Sequence, residues 1–253
     1  MTSGWVFLVT LAATLGGAVL GTLLRRWLPA ARLDTETRDV VRLGVGLLAT
    51  LSAVAISLMI ASAKTSYGTQ DAHFRQFSAN VILTDQLLAQ YGPETAGIRQ
   101  LMRQAIPAAL DRIWAEKAIG APQGSAFTPS SAAEQVYDAI ETLSPANDVQ
   151  RLLKLRIEQA SGDIARTRLL MFADVDTPIQ RPFLLILVFW LTVIFVSFSL
   201  FVEPGPVLAV ALLVFALSFA SALFLVADLS HPFAGLMQIS NQNLRDALGP
   251  LNR

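Results

Sequence analysis

The residues able to do acid, base or metal chemistry are few and scattered. The chain has no cysteine and two histidines among its 253 residues, which excludes thiolate zinc sites, iron-sulfur clusters, a cysteine nucleophile and any disulfide. Asp71 and His73 stand at i and i+2, so they do not share a helical face. Asp228 and His231 stand at i and i+3 and can meet, either as a local cap or interfacial hydrogen bond or as part of a metal site that other carboxylates would have to complete. No Ser/His/Asp arrangement, phosphate-binding loop or dinucleotide glycine signature accompanies them; Gly44-Val45-Gly46, the nearest approach, lies in an apolar run. The expectation is no catalytic residue, no cofactor, no metal and no enzymatic activity.

The charged residues offer a different chemistry. Arg151, Lys154, Arg156, Arg166 and Arg168, interspersed with Glu158 and Asp163, fall on one predicted helix. A solvated face with intrahelical pairs is one reading. The other places Arg151 and Arg156 in a charged ring at the mouth of a conduit, the usual way a channel selects the sign of an ion. The 19 Lys and Arg balance 19 Asp and Glu, which removes the simplest argument for nucleic acid as a partner.

The elements that must position these groups follow from a shortage of charge. Only 15% of residues are charged against 53% hydrophobic, where a soluble domain carries about 25% charged. Residues 5–24, 43–63, 182–202 and 206–227 contain no charge at all. Each run is long enough to cross the roughly 30 Å hydrocarbon core at about 1.5 Å per residue. The first is followed by Arg25-Arg26 and lacks a basic flank before it, so it reads as a retained membrane helix rather than a signal peptide. The prediction is an all-α, polytopic membrane protein with a transmembrane hairpin at 1–63, a helical soluble domain at 64–181, a second hairpin at 182–230 and a tail at 231–253.

Within the four runs the polar content is hydroxyl only. Proton relays and voltage sensors are built from intramembrane ionisable groups, so a proton-coupled pump is disfavoured. Small residues mark close packing: Gly17 and Gly21 form a GxxxG pair, and Ala49, Ala53, Ser57 and Ala61 make a ridge at i+4 spacing. Such ridges let backbones approach in lipid, here either in a tight hairpin within one chain or at a subunit interface or pore wall. The third run is rich in aromatics (Phe183, Phe189, Trp190, Phe195, Phe198, Phe201), expected to face lipid or fill the bundle.

The middle segment reads as helices. Phe74, Phe77, Val81, Leu88 and Tyr91 share a face, and Gly92-Pro93 ends that run. Ile98, Leu101, Met102, Ala105, Leu110, Ile113 and Trp114 share another, with Pro107 as an expected kink. A Gly-, Pro- and Ser-rich loop over 120–131 leads to a short helix near 132–143, and Asn147 caps a long helix reaching residue 172. The tail carries an expected amphipathic helix at 241–248.

Orientation follows from two counts that differ. Five arginines in the first loop (Arg25, Arg26, Arg32, Arg38, Arg42) place that loop in the cytoplasm and the soluble domain outside, and the first helix usually dominates. Counting the flanks of the soluble domain and tail gives the opposite placement.

The run Pro182-Phe183-Leu184 through Phe189-Trp190-Leu191 and Phe195-Val196-Ser197-Phe198 resembles the bestrophin-like domain family of bacterial and plant membrane proteins, as does the later Ala227-Asp228-Leu229-Ser230-His231-Pro232-Phe233-Ala234-Gly235-Leu236. Leu87-Leu88-Ala89-Gln90-Tyr91-Gly92-Pro93-Glu94, Ile113-Trp114, Leu143-Ser144-Pro145 and Arg166-Thr167-Arg168 are similar to its recurrent patterns. The family motif is Pro232, Phe233 and Gly235. Glu203-Pro204-Gly205-Pro206 departs from the family's more usual Pro and Asn pairing. Bestrophins proper are oligomeric anion channels with both termini and the main domain in the cytosol, so the resemblance implies a pore-forming homo-oligomer. It carries over no pore residue. The expected function is an oligomeric ion channel or pore, with lipid bilayer, further copies of itself and small ions as partners, in a cell membrane such as the bacterial inner membrane. The alternative is a non-conducting membrane scaffold or sensor whose helical domain binds a partner or ligand.

Overall fold

The computed structural model describes residues 3–27, 35–119, 131–173, 181–233, 235–240 and 244. Among them the chain forms seven α-helices and no strand: α1 (Ser3–Trp27), α2 (Thr35–Tyr91), α3 (Ala96–Ile119), α4 (Ser131–Glu141), α5 (Asp148–Ala173), α6 (Arg181–Phe201) and α7 (Pro206–Leu229). The fold is all-α, and α1, α2, α6 and α7 are long and apolar enough to cross a membrane. Two compact units result, one from Met1–Tyr67 with Thr177–His231, the other from Gly68–Asp176 with Pro232–Arg253. The sequence predicts a helical domain that continues off the end of the second span, and α2 runs without a break from that span to Tyr91, 57 residues long. Nothing between Lys64 and Gln70 can stop a helix: there is no proline, and Gly68 alone costs only about 1 kcal/mol.

In the membrane unit α6 is the element most deeply buried. Val6 of α1, Ile56 of α2 and Leu223 and Ala227 of α7 converge on Leu187, Leu191 and Ile194 of α6. A second cluster joins Ala18 of α1 and Leu212 and Ala216 of α7 to Phe195. The buried face of α1 runs through Val6, Thr10, Thr14, Gly17, Ala18 and Gly21, the three- and four-residue spacing of one helical side. Its glycines meet α6 rather than α2, the neighbour in sequence. A Cβ on Gly17 would stand 2.9 Å from the carbonyl oxygen of Thr192, and one on Gly21 would overlap the carbonyl oxygen of Val196. The approach is therefore backbone to backbone, the arrangement for which small residues are selected in lipid.

Several hydroxyls in the spans bond back to their own helices. Thr10 donates to the Val6 carbonyl, Thr14 to that of Thr10 and Ser52 to that of Leu48, each at 2.8 Å. Thr192 and Ser197 do the same on α6 at 2.7 and 2.9 Å. Trp5 and Trp27 are exposed near the two ends of α1, 22 residues or about 33 Å apart, the positions at which amphipathic rings anchor at both lipid-water interfaces. Between α6 and α7 the tight turn ends with Gly205 as N-cap and Pro206 at the first helical position, where a missing N–H costs nothing. Arg25 lies 3.6 Å from Glu203 of that turn.

The second unit is built from 68–91 of α2 with α3, α4, α5 and part of the tail. The predicted faces are the buried ones: Phe74, Phe77, Val81, Leu88 and Tyr91 on α2, and Ile98, Met102, Ala105 and Leu110 on α3. Gly92, at φ 143, turns the chain where a side chain would be strained, and Pro93–Thr95 forms a 3-10 turn. Thr95 closes it by donating to the carbonyls of Leu88 and Gly92. Pro107 is carried inside α3 without ending it. Asn147 caps α5, its Oδ1 accepting the Gln150 N–H at 2.8 Å, while the Gln150 side chain donates to the Tyr91 carbonyl at 3.1 Å. Lys154 reaches from α5 to the end of α4 and donates to the carbonyls of Glu141 and Leu143 at 2.7 and 2.9 Å, a cation on a helix C-terminus. Of the loop expected over 120–131, Ser131 is already the first residue of α4 and the rest lies outside the described residues, as does the tail helix expected over 241–248, except that Leu244 is helical and buried.

Arg99 of α3 clasps Asp85 of α2 with two parallel bonds, Nε to Oδ1 at 2.9 Å and Nη2 to Oδ2 at 2.8 Å. The carboxylate side chain is 3% exposed. The hydrogen bond to Asp85 raises the Arg99 pKa further above its ordinary value, against burial, which lowers it. Breaking a buried pair from one side strands the other charge.

Two substitutions test these contacts. Gly21→Ala forces the Val196 backbone away and costs about 1–3 kcal/mol as overpacking, lowering the thermal midpoint in detergent, while Gly16→Ala, with open space at its Cβ, leaves it unchanged. Asp85→Ala costs about 3 kcal/mol in chemical denaturation of the purified protein.

Candidate functional site

Two arrangements stand out, one in each unit. In the membrane unit the inward side of α2 is Ser52, Ile56 and Ala63, all buried, with Val45, Leu48, Ala55, Met59 and Ile60 packed beside them. The predicted ridge of Ala49, Ala53, Ser57 and Ala61 lies on the other side, and all four residues are exposed. It is therefore not used to pack this chain's own bundle, in contrast to Gly17 and Gly21. Thr50 shares that open side, its hydroxyl donating to the Gly46 carbonyl at 2.8 Å. Leu47, Leu51, Val54 and Leu58 continue the outward surface. On α6, Phe183, Phe189 and Phe198 face outward and Phe195 fills the core.

The charges expected at a conduit mouth sit on the outer face of α5. Arg151 and Arg156 are both exposed. Arg151 donates to Asp148 at 3.2 Å, an exposed pair worth little. Arg156 has no ion-pair partner among the described residues, and Lys154 is held by the two α4 carbonyls with Glu158 at 3.7 Å. Val149, Leu152 and Leu155 are exposed between these charges, an apolar stripe on a face that composition alone reads as solvated.

The Pro232, Phe233 and Gly235 motif has a structural task in the second unit. Phe233 is 3% exposed and meets Trp114 edge to face at 5.0 Å, and Trp114 meets Phe74 of α2 in the same way at 5.3 Å. Such pairs add about 0.5–1.5 kcal/mol each to the burial of their rings. Pro232 supplies the carbonyl that accepts the Ile239 N–H at 2.8 Å. Gly235 holds φ 105, a conformation that side chains resist. The motif thus folds the tail back on itself and pins it to α3 by one ring.

His231 Nδ1 lies 2.8 Å from the Ala227 carbonyl, the local cap that its spacing allows, and Asp228 is buried beside it. Among the described residues no three His, Asp or Glu side chains come together as ligands.

Sequence reasoning missed two features of the second unit. Asp85 interrupts the apolar face of α2, and an acid at such a position is the signal of a buried cation, here Arg99. A cavity bordered by Tyr137 and Arg168 had no such signal, because its walls come from four helices.

Four helices able to span a membrane, a separate helical unit and hydroxyls as the only polar groups within the spans define an all-helical multi-pass membrane protein. The bestrophin-like domain matches residues 11–244, nearly the whole chain, which belongs to that family. Neither a curated protein nor a solved structure matches it.

Phe233→Ala removes the ring that holds the tail and costs about 3–5 kcal/mol. Gly235→Ala strains an open turn without filling a core, and so costs about 1 kcal/mol. Denaturation midpoints of the two variants, measured side by side, should rank in that order.

Proposed function

We propose that the protein is an ion channel or pore made of several copies of this chain around an axis lined by α2. The observation that carries this reading is the outward ridge. Only 11% of the membrane window of α2 is buried within the chain, against 28%, 33% and 22% for α1, α6 and α7, and its open side bears Ala49, Ala53, Ser57 and Ala61. Lipid contact does not call for small residues, whereas close approach of a second backbone does. Membership of a family akin to anion channels supports the same reading.

Small residues let the α2 helices of neighbouring copies close around a narrow axis, and the wall of such a conduit would be methyl groups and the Ser57 and Thr50 hydroxyls. With no ionisable side chain in the spans, the sign of the permeant ion would be set outside them, and exposed arginines such as Arg156 favour anions.

Purified protein should run as an assembly of more than one copy in detergent and give discrete current steps in planar bilayers, with the reversal potential in a KCl gradient displaced toward that of chloride. Ala53→Trp should cut the unitary current by about fivefold or more by narrowing the axis. Arg156→Glu should move the reversal potential toward that of potassium. An assembly packed shut along its axis that carries no current sinks the proposal.

A further inference from the structure

The second unit holds a half-open cavity of about 70 Å³ between α2, α3, α4 and α5. Phe77 and Val81, Met102 and Ile106, and Val136 and Ile140 give it apolar walls, a pair from each of the first three helices. At about 10–15 Å³ per water-sized group it has room for roughly five to seven non-hydrogen atoms. Water filling an apolar space of this kind lacks the two to four polar partners it needs.

The polar groups at its border are few, and they differ in what they have left to give. The Thr84 hydroxyl is committed to the Asn80 carbonyl at 2.8 Å. Among the described residues the Tyr137 hydroxyl has the Ser161 carbonyl alone, at 3.5 Å, too long to be a strong bond. Arg168 of α5 borders the cavity and has no carboxylate paired with it among the described residues. Burial pushes the Tyr137 phenol above its ordinary value, against the pull of the Arg168 charge and the Ser161 contact, so it remains a neutral donor at physiological pH.

A permanent cation and an O–H donor at one side of an apolar space are the complement of a short alkyl chain ending in a carboxylate. We propose that this cavity binds a small amphipathic carboxylate, with its tail among the α2, α3 and α4 side chains and its head on the Arg168 guanidinium, Tyr137 donating a further hydrogen bond. An alcohol of the same length lacks the charge, an amine would be repelled, and inorganic phosphate has no tail to displace the poorly bonded water.

Sodium pentanoate, with seven non-hydrogen atoms, is the probe. Saturation-transfer NMR on the full chain in deuterated detergent detects only ligand that touches protein, and seven atoms imply a dissociation constant of about 0.1–10 mM. Arg168→Gln should weaken binding at least tenfold, Ala105→Leu should abolish it by filling the cavity, and Arg75→Gln, remote from the cavity, should leave it unchanged. Because Arg168 stands at the border, its variant is expected to fold even if the Ala105 variant does not. No transfer from the wild-type protein up to 20-fold above the expected range (about 200 mM), or equal binding of pentan-1-ol, or undiminished binding by Arg168→Gln, would overturn the assignment. The readout involves no current, so failure to conduct and failure to bind are seen separately.

Discussion

The membrane unit depends on the contact between α1 and α6 at Gly17 and Gly21. Lipid supplies no hydrophobic force between helices, so association there comes from packing and from backbones brought close. The two glycines let α1 lie on the Thr192 and Val196 carbonyls, and α6 becomes the element against which the others are placed. α1 packs along both α6 and α7, and α2 joins the bundle through its buried side centred on Ser52 and Ile56. Everything else on α2 in the membrane is left for lipid or for another chain.

The second unit obeys a different rule, since water is available and burial itself is favourable. Its polar interior contacts are few and specific: a bidentate Asp85 and Arg99 pair, a lysine shared between two carbonyls, and a glutamine that crosses from α5 to the end of α2. Each ties one helix to another, which a purely apolar core would leave freer to slide. The aromatic chain from Phe74 through Trp114 to Phe233 does the same for the tail.

Much of this was legible in the residues. Runs free of charge fixed the four spans, because the cost of a charge in hydrocarbon is large and local. The three- and four-residue spacing of Phe74, Phe77, Val81 and Leu88 identified the buried side of α2, and Asn147 marked the start of α5, since caps and faces are properties of a few neighbouring positions. The continuation of α2 beyond its span was legible too, since a charge at Lys64 marks the end of hydrocarbon without marking the end of a helix. Partner choice was not legible at all. Gly17 and Gly21 announce a close approach but carry no information about which helix approaches, and the ridge from Ala49 to Ala61 has the same composition while facing the opposite way. The cavity beside Arg168 was invisible for a related reason, as it belongs to no segment of the chain.

The pairing of α1 with α6 also has a consequence in time. Gly21 and Val196 are about 175 residues apart, and a ribosome adds roughly 5–20 residues per second. The first span is therefore made some 10–35 s before the helix it is shaped to fit. Throughout that interval its glycine groove is vacant in the bilayer, while the whole of the second unit is being synthesised. The order of the genes' coding sequence thus gives biogenesis a waiting step that a bundle of sequence-adjacent hairpins would not have.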